Sequence, residues 1–295
     1  MLANTNVLLG LVAQTPIHAG SGESDTIIDL PIQREAHTDW PCVYGSGVKG
    51  ALRARAELQL GKDNISIAQV FGPDTDKAHE HAGALMVSDA RLLLLPVRSL
   101  TSHYRLVTCP AIINRLLRDI RRLGLPFDND FTVPVPHSAQ ALVSDKNRNT
   151  ADLYLEEYRF EKHLQPLSAL CNLLAKVAGE DCLDELEQLL TLVDDDSFRH
   201  LCRAATPVRT HIAIDSNTKT VKPGALWNQE NLPPETVLYT SLTATRSRDS
   251  AGLDSANVMA CVVDELFSNH SYLQLGGNET VGMGWCHVVP WGLSA

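Results

Sequence analysis

Glycines, a serine and two cations cluster in the segment GSGVKGALR at residues 45–53. Glycine has no side chain to block the close approach of a phosphate, and Ser46 offers a hydroxyl group. The apolar spacing predicts a helix that begins here with Ser46 as its N-cap, and the free N–H groups of a helix start favour anions. Lys49 and Arg53 lie four residues apart and share one helix face. The pattern predicts a phosphate-binding site, although an ordinary capped surface helix would show it too.

A second glycine-rich segment, GGNETVGMG, occupies residues 276–284. Its glycines permit another close approach to a phosphate backbone, but they could equally form a tight hairpin. The segment does not follow the strand-to-helix context that a dinucleotide-binding fingerprint requires. We therefore expect a loop, with Gly276, Gly277, Gly282 and Gly284 as its candidate ligand-facing positions.

The charge of the chain is acidic on average but unevenly distributed. Among 295 residues, 25 Lys and Arg against 35 Asp and Glu give a net charge of −10, which argues against a general nucleic-acid binder. Residues 91–122 nevertheless hold seven arginines and one acid, a net of +6, whereas residues 152–196 hold twelve acids and three cations, a net of −9. The basic stretch is a candidate anion-binding surface, and two solvated faces of opposite sign are the alternative.

The same composition restricts the class of protein. No run of about 18 uncharged apolar residues is present, and the N-terminal segment lacks the basic region of a signal peptide. Seven widely spaced cysteines, an odd number, predict neither a disulfide framework nor a structural zinc site. We expect a cytoplasmic protein with no membrane partner.

Hydrophobic periodicity predicts an α+β fold with large insertions. The expected strands are residues 7–13, 84–97, 208–214, 236–245 and 286–289. The expected helices begin at Ser46 and Pro110, run through the acidic region at residues 167–177 and 183–193, and end with residues 255–267. A long loop, His18 to Gly45, separates the first strand from the first helix.

Four segments, at residues 15–53, 71–100, 106–113 and 273–285, together carry a family resemblance. The first contains DLPIQREAHT followed by GSGVKGALR, and the second contains FGP and SDARLLLLPVRS. In this combination the chain resembles the backbone subunits of the Cmr module in type III-B CRISPR effector complexes, which belong to the RAMP superfamily.

The resemblance implies a single domain over residues 1–295 with a modified ferredoxin-like, RRM-like palm that is discontinuous in sequence. It implies finger and thumb insertions around this palm. The loop at residues 15–45 would carry the catalytic position. Residues 125–206 would be mostly insertion, acidic and helical, and residues 216–235 would form the thumb.

The resemblance also implies an activity. Copies of such a subunit stack with other Cmr-type subunits into a filament along a guide RNA, and each copy cuts the paired single-stranded target RNA at regular intervals in a metal-dependent reaction. The matching catalytic position is Asp29, with His18 and Glu230 as further candidates. No D-x-D motif lies near Asp29, so we expect Mg²⁺ to bind weakly, through Asp29 and RNA phosphates.

RNA contacts are expected from the loop after Asp29, the helix start, the thumb and the second glycine-rich segment. In the thumb, Trp227 is the nearest equivalent of a family aromatic residue, although packing in the core is its alternative. Gly47-Val48 stands where the family commonly has Ser-Leu, which removes one hydroxyl contact. The expected RNA-binding residues are Arg34, Gly45, Ser46, Lys49, Gly50, Arg53, Trp227, Gly276, Gly277, Gly282 and Gly284.

Three other functions fit parts of the pattern. The chain could be a purely structural backbone subunit that binds guide RNA without cutting. It could be a RAMP endonuclease that processes precursor guide RNA through a metal-free histidine acid–base site. It could also be an α+β protein with no role in RNA binding.

Overall fold

The structure is a computed structural model that describes residues 4–24, 27–74, 79, 81–127, 132–144, 152–249 and 252–292. These residues form fourteen β-strands and seven α-helices, and the fold is therefore mixed α/β. The strands are β1 (Thr5–Ala13), β2 (Cys42–Val43), β3 (Leu85–Val87), β4 (Ala90–Arg98), β5 (Tyr104–Thr108), β6 (Gln140–Val143), β7 (Asp152–Leu155), β8 (Tyr158–Leu164), β9 (Leu190–Val193), β10 (Val208–Ile214), β11 (Val221–Glu230), β12 (Val237–Ala244), β13 (Tyr272–Gln274) and β14 (Trp285–Trp291). The helices are α1 (Gly45–Leu60), α2 (Ile65–Phe71), α3 (Pro110–Leu123), α4 (Ser168–Ala178), α5 (Leu183–Leu189), α6 (Asp195–Ala204) and α7 (Ser255–Phe267).

Four long strands form the centre of the main sheet in the order β14-β1-β12-β4, and all neighbours in this group are antiparallel. Helix α1 lies in the chain between β1 and β4, and helix α7 lies between β12 and β14. The sheet continues beyond β4 through β5, β9, β6, β8 and β7 to give twelve strands with β2, β3 and β13. Strands β10 and β11 form a separate two-stranded hairpin.

Helices cover both faces of the central strands. Thr5 Oγ1 donates a hydrogen bond to Ser255 Oγ at the start of α7 (3.0 Å), and Asn6 Nδ2 donates to the carbonyl of Leu123 at the end of α3 (3.1 Å). Neighbouring residues of a strand point to opposite faces, so α7 and α3 lie on opposite sides of β1. The interior of β1, Val7 to Ala13, is accordingly buried throughout.

Helix α4 packs on β1 so closely that one strand position must be glycine. A Cβ atom built on Gly10 would lie 1.7 Å from the carbonyl oxygen of Val177 in α4. No side chain fits at that distance, and the glycine therefore determines how closely the helix and the sheet approach.

Helix α1 begins differently from the sequence prediction. Ser46 lies inside the first turn, and Tyr44 is the N-cap without a side-chain hydrogen bond, so the predicted Ser46 cap is wrong. The N–H of Gly45 instead donates to Asp89 Oδ1, at 2.7 Å. An acceptor between β3 and β4 thus replaces a local cap. Helix α3 does follow its prediction, with Pro110 in its first turn and Gly124 in the left-handed conformation at its end.

The acidic insertion contains more strand than predicted. The described part of residues 125–206 holds four strands, β6 to β9, besides helices α4 to α6. The helix expected at residues 183–193 ends at Leu189, and Leu190–Val193 form strand β9. All four residues of β9 are buried, between β5 and β6, and this pairing outweighs the helical spacing of the leucines.

No helix in the described part of the chain is long and apolar enough to span a bilayer.

We predict that Gly10→Ala lowers the free energy of unfolding by about 1–3 kcal/mol, because the added methyl group overpacks the contact with Val177. Gly50→Ala in α1 is the matched control, since its Cβ would meet no atom within 4 Å. It should raise stability by about 0.5–1 kcal/mol through the higher helix propensity of alanine. Chemical denaturation of the two variants measures both effects, and equal effects would contradict the close approach of α4.

Candidate functional site

The loop that contains Asp29 joins strand β11 through an isolated parallel bridge between Leu30 and Gln229. The N–H of Leu30 donates to the carbonyl of Asn228 (3.0 Å), and the N–H of Glu230 donates to the carbonyl of Leu30 (3.0 Å). The carboxylate of Asp29 accepts a 2.6 Å hydrogen bond from the N–H of Asn228. Asp29 is therefore held by the projecting hairpin, and its side chain is half-buried.

The same edge of β11 also holds His18. The Nδ1 atom of His18 lies 2.8 Å from the carbonyl oxygen of Glu230. A carbonyl oxygen only accepts hydrogen bonds, so Nδ1 carries the hydrogen and Nε2 of the neutral ring has a free lone pair. Asn228 and Glu230 are alternate residues and direct their backbone groups to one edge, about 6.6 Å apart. The structure thus brings His18 and Asp29, two predicted catalytic residues, to neighbouring anchor points.

Glu230 itself does not face solvent. Its side chain is 5% exposed, and its carboxylate accepts hydrogen bonds from Arg34, from Thr206 Oγ1 (2.7 Å) and from the N–H of Ile32 (3.1 Å). Both carboxylate oxygens are therefore used inside the protein. The carboxylate thus holds the loop inside the protein, and a direct catalytic role for Glu230 stays a prediction.

Arg34 is likewise turned inward. Its guanidinium donates to Glu230, to the carbonyl of Asp39 (2.9 Å) and to the carbonyl of Cys202 (3.1 Å), and its side chain is 17% exposed. The prediction that Arg34 binds RNA is not supported by this geometry, since a buried ion pair and two carbonyls occupy the donors. The sequence shows an arginine at this position, but it does not show that the partners of this arginine lie 168 and 196 residues away in the chain.

The glycine-rich loop, Leu275–Gly284, closes the site from the other side. The N–H of Gly277 donates to the carbonyl of His18 (2.9 Å), and Asn278 Nδ2 donates to Gln229 Oε1 (3.1 Å). Gly276 has a φ of +82°, and a Cβ there would lie 2.3 Å from the carbonyl oxygen of His18. Gly276 is thus required for this close contact with His18.

The members of this loop differ in their exposure. Gly276, Gly277 and Gly282 are exposed, as their prediction as RNA-facing positions requires. Gly284 is buried, and a Cβ there would lie 2.1 Å from the carbonyl oxygen of Leu275. Its contact with RNA stays a prediction, at a position that the chain itself covers.

At the predicted phosphate site, the start of α1 is only partly open. Ser46 and Gly50 are exposed, whereas Gly45 is buried and its N–H is taken by Asp89. Lys49 Nζ donates to the carbonyl of Leu85 (3.2 Å), and burial, followed by the neighbouring charge of Arg53, lowers the pKa of Lys49.

Arg53, on the same face, is committed to protein partners. It forms ion pairs with Glu57 and Asp74 and donates a third hydrogen bond to the carbonyl of Gly72. Because Asp74 is 77% exposed, this pair lies in solvent and contributes little to stability.

Trp227 lies on the hairpin and not in the core, so its alternative placement in the core is wrong. It faces His211 across the strand pair, with ring centroids 5.5 Å apart and planes 12° from parallel. Both rings are half-buried, so a flat π-surface projects from the hairpin one residue before Asn228.

Most arginines of the basic stretch, residues 91–122, have partners within the chain, although the side chains of Arg98 and Arg122 are largely exposed. Arg105 is buried and donates to Thr191 and to the carbonyl of Leu190. Ion pairs link Arg91 and Arg122 to Asp119, Arg98 to Glu156, and Arg115 to Glu35. Asp119 is already counted in the net charge of +6, and the two outside partners, Glu156 and Glu35, reduce that charge only to +4. The stretch stays cationic, with Arg118 and Arg121 exposed on α3.

The described residues contain no group of three or more His, Cys, Asp or Glu side chains that could hold a metal ion. Asp29 offers a single carboxylate, and one of its oxygens already accepts the N–H of Asn228. Mg²⁺ demands six oxygen ligands at near-octahedral positions. The residues present do not fit a resident metal ion held by the protein alone.

The fold and the site define a class. A family model of the RAMP superfamily matches residues 11–287, and the chain belongs to the RAMP superfamily. Over 290 residues the chain is 35% identical to the CRISPR system Cmr endoribonuclease Cmr4 of Pyrococcus furiosus, across 96% of this chain and 94% of that protein. Within the superfamily it is a member of the Cmr4 group, as its motifs indicated.

Solved structures agree with this assignment. Oligomeric Cmr4 from Pyrococcus furiosus matches with a TM-score of 0.74 and 27% identity, over 98% of this chain and 99% of that one. A chain of the type III-B Cmr-beta complex bound to cognate target RNA matches with a TM-score of 0.73 and 22% identity, over 97% of this chain and 96% of that one. The second likeness establishes the shared fold.

We predict that Gly276→Ala destabilises the protein more than Gly282→Ala. Both positions have a φ near +80°, which costs an alanine about 1–2 kcal/mol, but only Gly276 is also blocked by the carbonyl of His18. A Cβ atom on Gly282 would meet no atom within 4 Å, so this position isolates the backbone strain. Thermal unfolding measures the melting temperature of both variants. A smaller decrease in melting temperature for Gly276→Ala than for Gly282→Ala would contradict the close contact between Gly276 and His18.

Proposed function

We propose that the protein is a guide-RNA-binding backbone subunit of a type III-B CRISPR effector complex and that it cleaves the paired target RNA. The observation that carries this proposal is the convergence of Asp29 and His18 on one edge of β11, beside the exposed part of the glycine-rich loop. The Pyrococcus furiosus relative is named an endoribonuclease, which supports cutting. The oligomeric Cmr4 structure supports self-association, and a filament with other Cmr-type subunits follows from the same assignment.

The palm of this subunit is, in our proposal, a modified ferredoxin-like unit. Its support is the order β14-β1-β12-β4 with all neighbours antiparallel and with α1 and α7 as the two crossovers. In that unit the first strand lies between the third and the fourth, as β1 lies between β12 and β14. The β10–β11 hairpin then corresponds to the thumb and begins at Val208, before the range predicted from sequence.

RNA contacts in this proposal lie at loops. An RRM binds bases on the open face of its sheet through exposed aromatic residues. Here α3 and α4 cover the face opposite α7, so that face is closed to RNA. The remaining candidate surfaces are the exposed start of α1 with Ser46, Lys49 and Gly50, the glycine-rich loop, and the stacked rings of the hairpin.

The chemistry follows from the anchor points. Cleavage of RNA requires removal of a proton from the attacking oxygen and neutralisation of charge that develops on the phosphate. Two predicted catalytic groups could accept a proton here, the half-buried carboxylate of Asp29 and Nε2 of His18, a residue that is 9% exposed. Their anchors on β11, Asn228 and Glu230, are alternate residues of one strand, so both side chains belong to the same edge.

Mg²⁺ dependence and a cytoplasmic location stay predictions of the proposal. Asp29 would supply a single ligand, and the other ligands would have to come from RNA phosphates and water. A purely structural backbone subunit, and a subunit that processes precursor guide RNA, are the two outcomes that the following experiments would reveal instead.

We predict that Asp29→Ala abolishes target cutting while complex assembly and target binding persist. Removal of a group that transfers protons lowers the rate by about 10²–10⁴-fold. The measurement is cleavage of labelled target RNA by the reconstituted complex, with target affinity determined in parallel. Glu23→Ala, an exposed acid of the same loop, is the control. Undiminished cutting by the Asp29 variant would refute the catalytic role of Asp29. If the unmodified complex also left the target uncut, the protein would be a purely structural backbone subunit.

We predict that cutting depends on added Mg²⁺ at concentrations of about 1 mM, since one carboxylate gives weak binding. Chelation with EDTA should stop cutting but leave the melting temperature of the isolated subunit unchanged, because the described residues hold no cluster of metal ligands. Cutting of a precursor repeat hairpin by the isolated subunit in EDTA would favour the metal-free processing enzyme.

A further inference from the structure

Arg34 lies where three parts of the chain meet. It belongs to the Asp29 loop, its Nη2 atom pairs with Glu230 of β11, and both of its terminal nitrogens donate to the carbonyl of Cys202 in α6 at 3.1 Å. Thr206, just after α6, reaches the same carboxylate at 2.7 Å. The loop, the hairpin and α6 are thus joined through one buried ion pair.

The Arg34–Glu230 ion pair is linked by further hydrogen bonds to the loop that carries Asp29. Glu230 uses its second oxygen to accept the N–H of Ile32, which is three residues after Asp29. The backbone of Glu230 binds Leu30 through its N–H and His18 through its carbonyl. A shift of Glu230 would therefore displace both candidate catalytic groups together.

We propose that Arg34 is a positioning residue that acts through Glu230 to hold the Asp29 loop in register along β11. This inference rests on the proposed function. Register along a strand is set by discrete hydrogen bonds, so a loop released from Glu230 presents Asp29 at the wrong distance from the target phosphate. The Arg34–Glu230 pair thereby determines the rate of cutting and the position of the cut, without contact with RNA.

Arginine is required at this position by geometry as well as by charge. A planar guanidinium can donate to Glu230, to Cys202 and to Asp39 at once, as observed. A lysine ammonium has three donors on one atom and cannot reproduce this fork. Arg34→Lys therefore keeps the positive charge beside Glu230 but removes the planar set of donors. Glu230→Gln keeps the size of the side chain but removes its negative charge.

The test uses complexes assembled with Arg34→Lys, with Glu230→Gln and with both substitutions. At saturating target we expect each single variant to cut at least about tenfold more slowly, since small misplacement of a catalytic group has effects of this size. Target affinity should stay within about twofold, and the double variant should be no slower than the slower single variant, because both act through one contact. Fragments should also appear at phosphates next to the normal cut.

Two further readouts separate positioning from other functions. The dependence of the cutting rate on pH should keep its shape in all variants, since neither group exchanges a proton with RNA; a changed shape in Glu230→Gln would overturn the proposal in favour of direct catalysis. Additive losses, or loss of target binding, would also overturn it. Arg98→Lys, in an exposed pair with Glu156, is the control and should cut normally.

Thr206→Val keeps the test decisive if the charged variants fail to assemble. It removes one hydrogen bond to Glu230 and leaves both charges in place. We expect cutting to be slower by about threefold with target affinity unchanged, and an unchanged rate would count against the proposal. If the unmodified complex does not cut, the proposed function fails; if it cuts and these variants cut equally well, only the positioning inference fails.

Discussion

The outer edge of strand β11 is the constraint on which the rest of the site depends. Residues 228 and 230 direct their backbone groups away from β10, and these groups bind Asp29, Leu30 and His18. A two-stranded hairpin is marginally stable by itself in water. The Asp29 loop adds an isolated bridge and the hydrogen bonds of Asp29 and Leu30 to it, so the formation of the site and the stability of the hairpin support each other.

The covered sheet explains why the functional residues lie on loops. Gly10 lets α4 approach β1 to backbone contact, and α7 covers the opposite face. The strands become a rigid, inaccessible scaffold, and every surface able to contact RNA lies at their ends. Three of the arginines of residues 91–122 belong to this scaffold, because Arg91 and Arg115 pair with Asp119 and Glu35 and Arg105 is buried.

Local signals in the sequence predicted local structure well. Helix α7 was predicted at its observed bounds, and Pro110 and Gly124 marked the ends of α3, because caps and periodicity act within a few residues. The start of α1 was misassigned, since its acceptor is Asp89, 44 residues away. Motif resemblance gave Asp29 and His18 as candidates, and their catalytic role stays a prediction. The inward direction of Arg34 and Glu230 depends on a contact between residues 196 apart, which no local pattern encodes.

The hairpin connects base stacking to the catalytic loop through one strand. Trp227, stacked on His211, immediately precedes Asn228, whose N–H holds the Asp29 carboxylate. If RNA binds as proposed, a base stacked on these rings would act on the strand that sets the position of Asp29. At Glu230, the hairpin is tied to α6 through Arg34 and Thr206. This attachment would resist movement of the hairpin, and any movement that remained would reach the Asp29 loop. The buried charge pair thus gives a two-stranded projection the rigidity that an accurate cut requires.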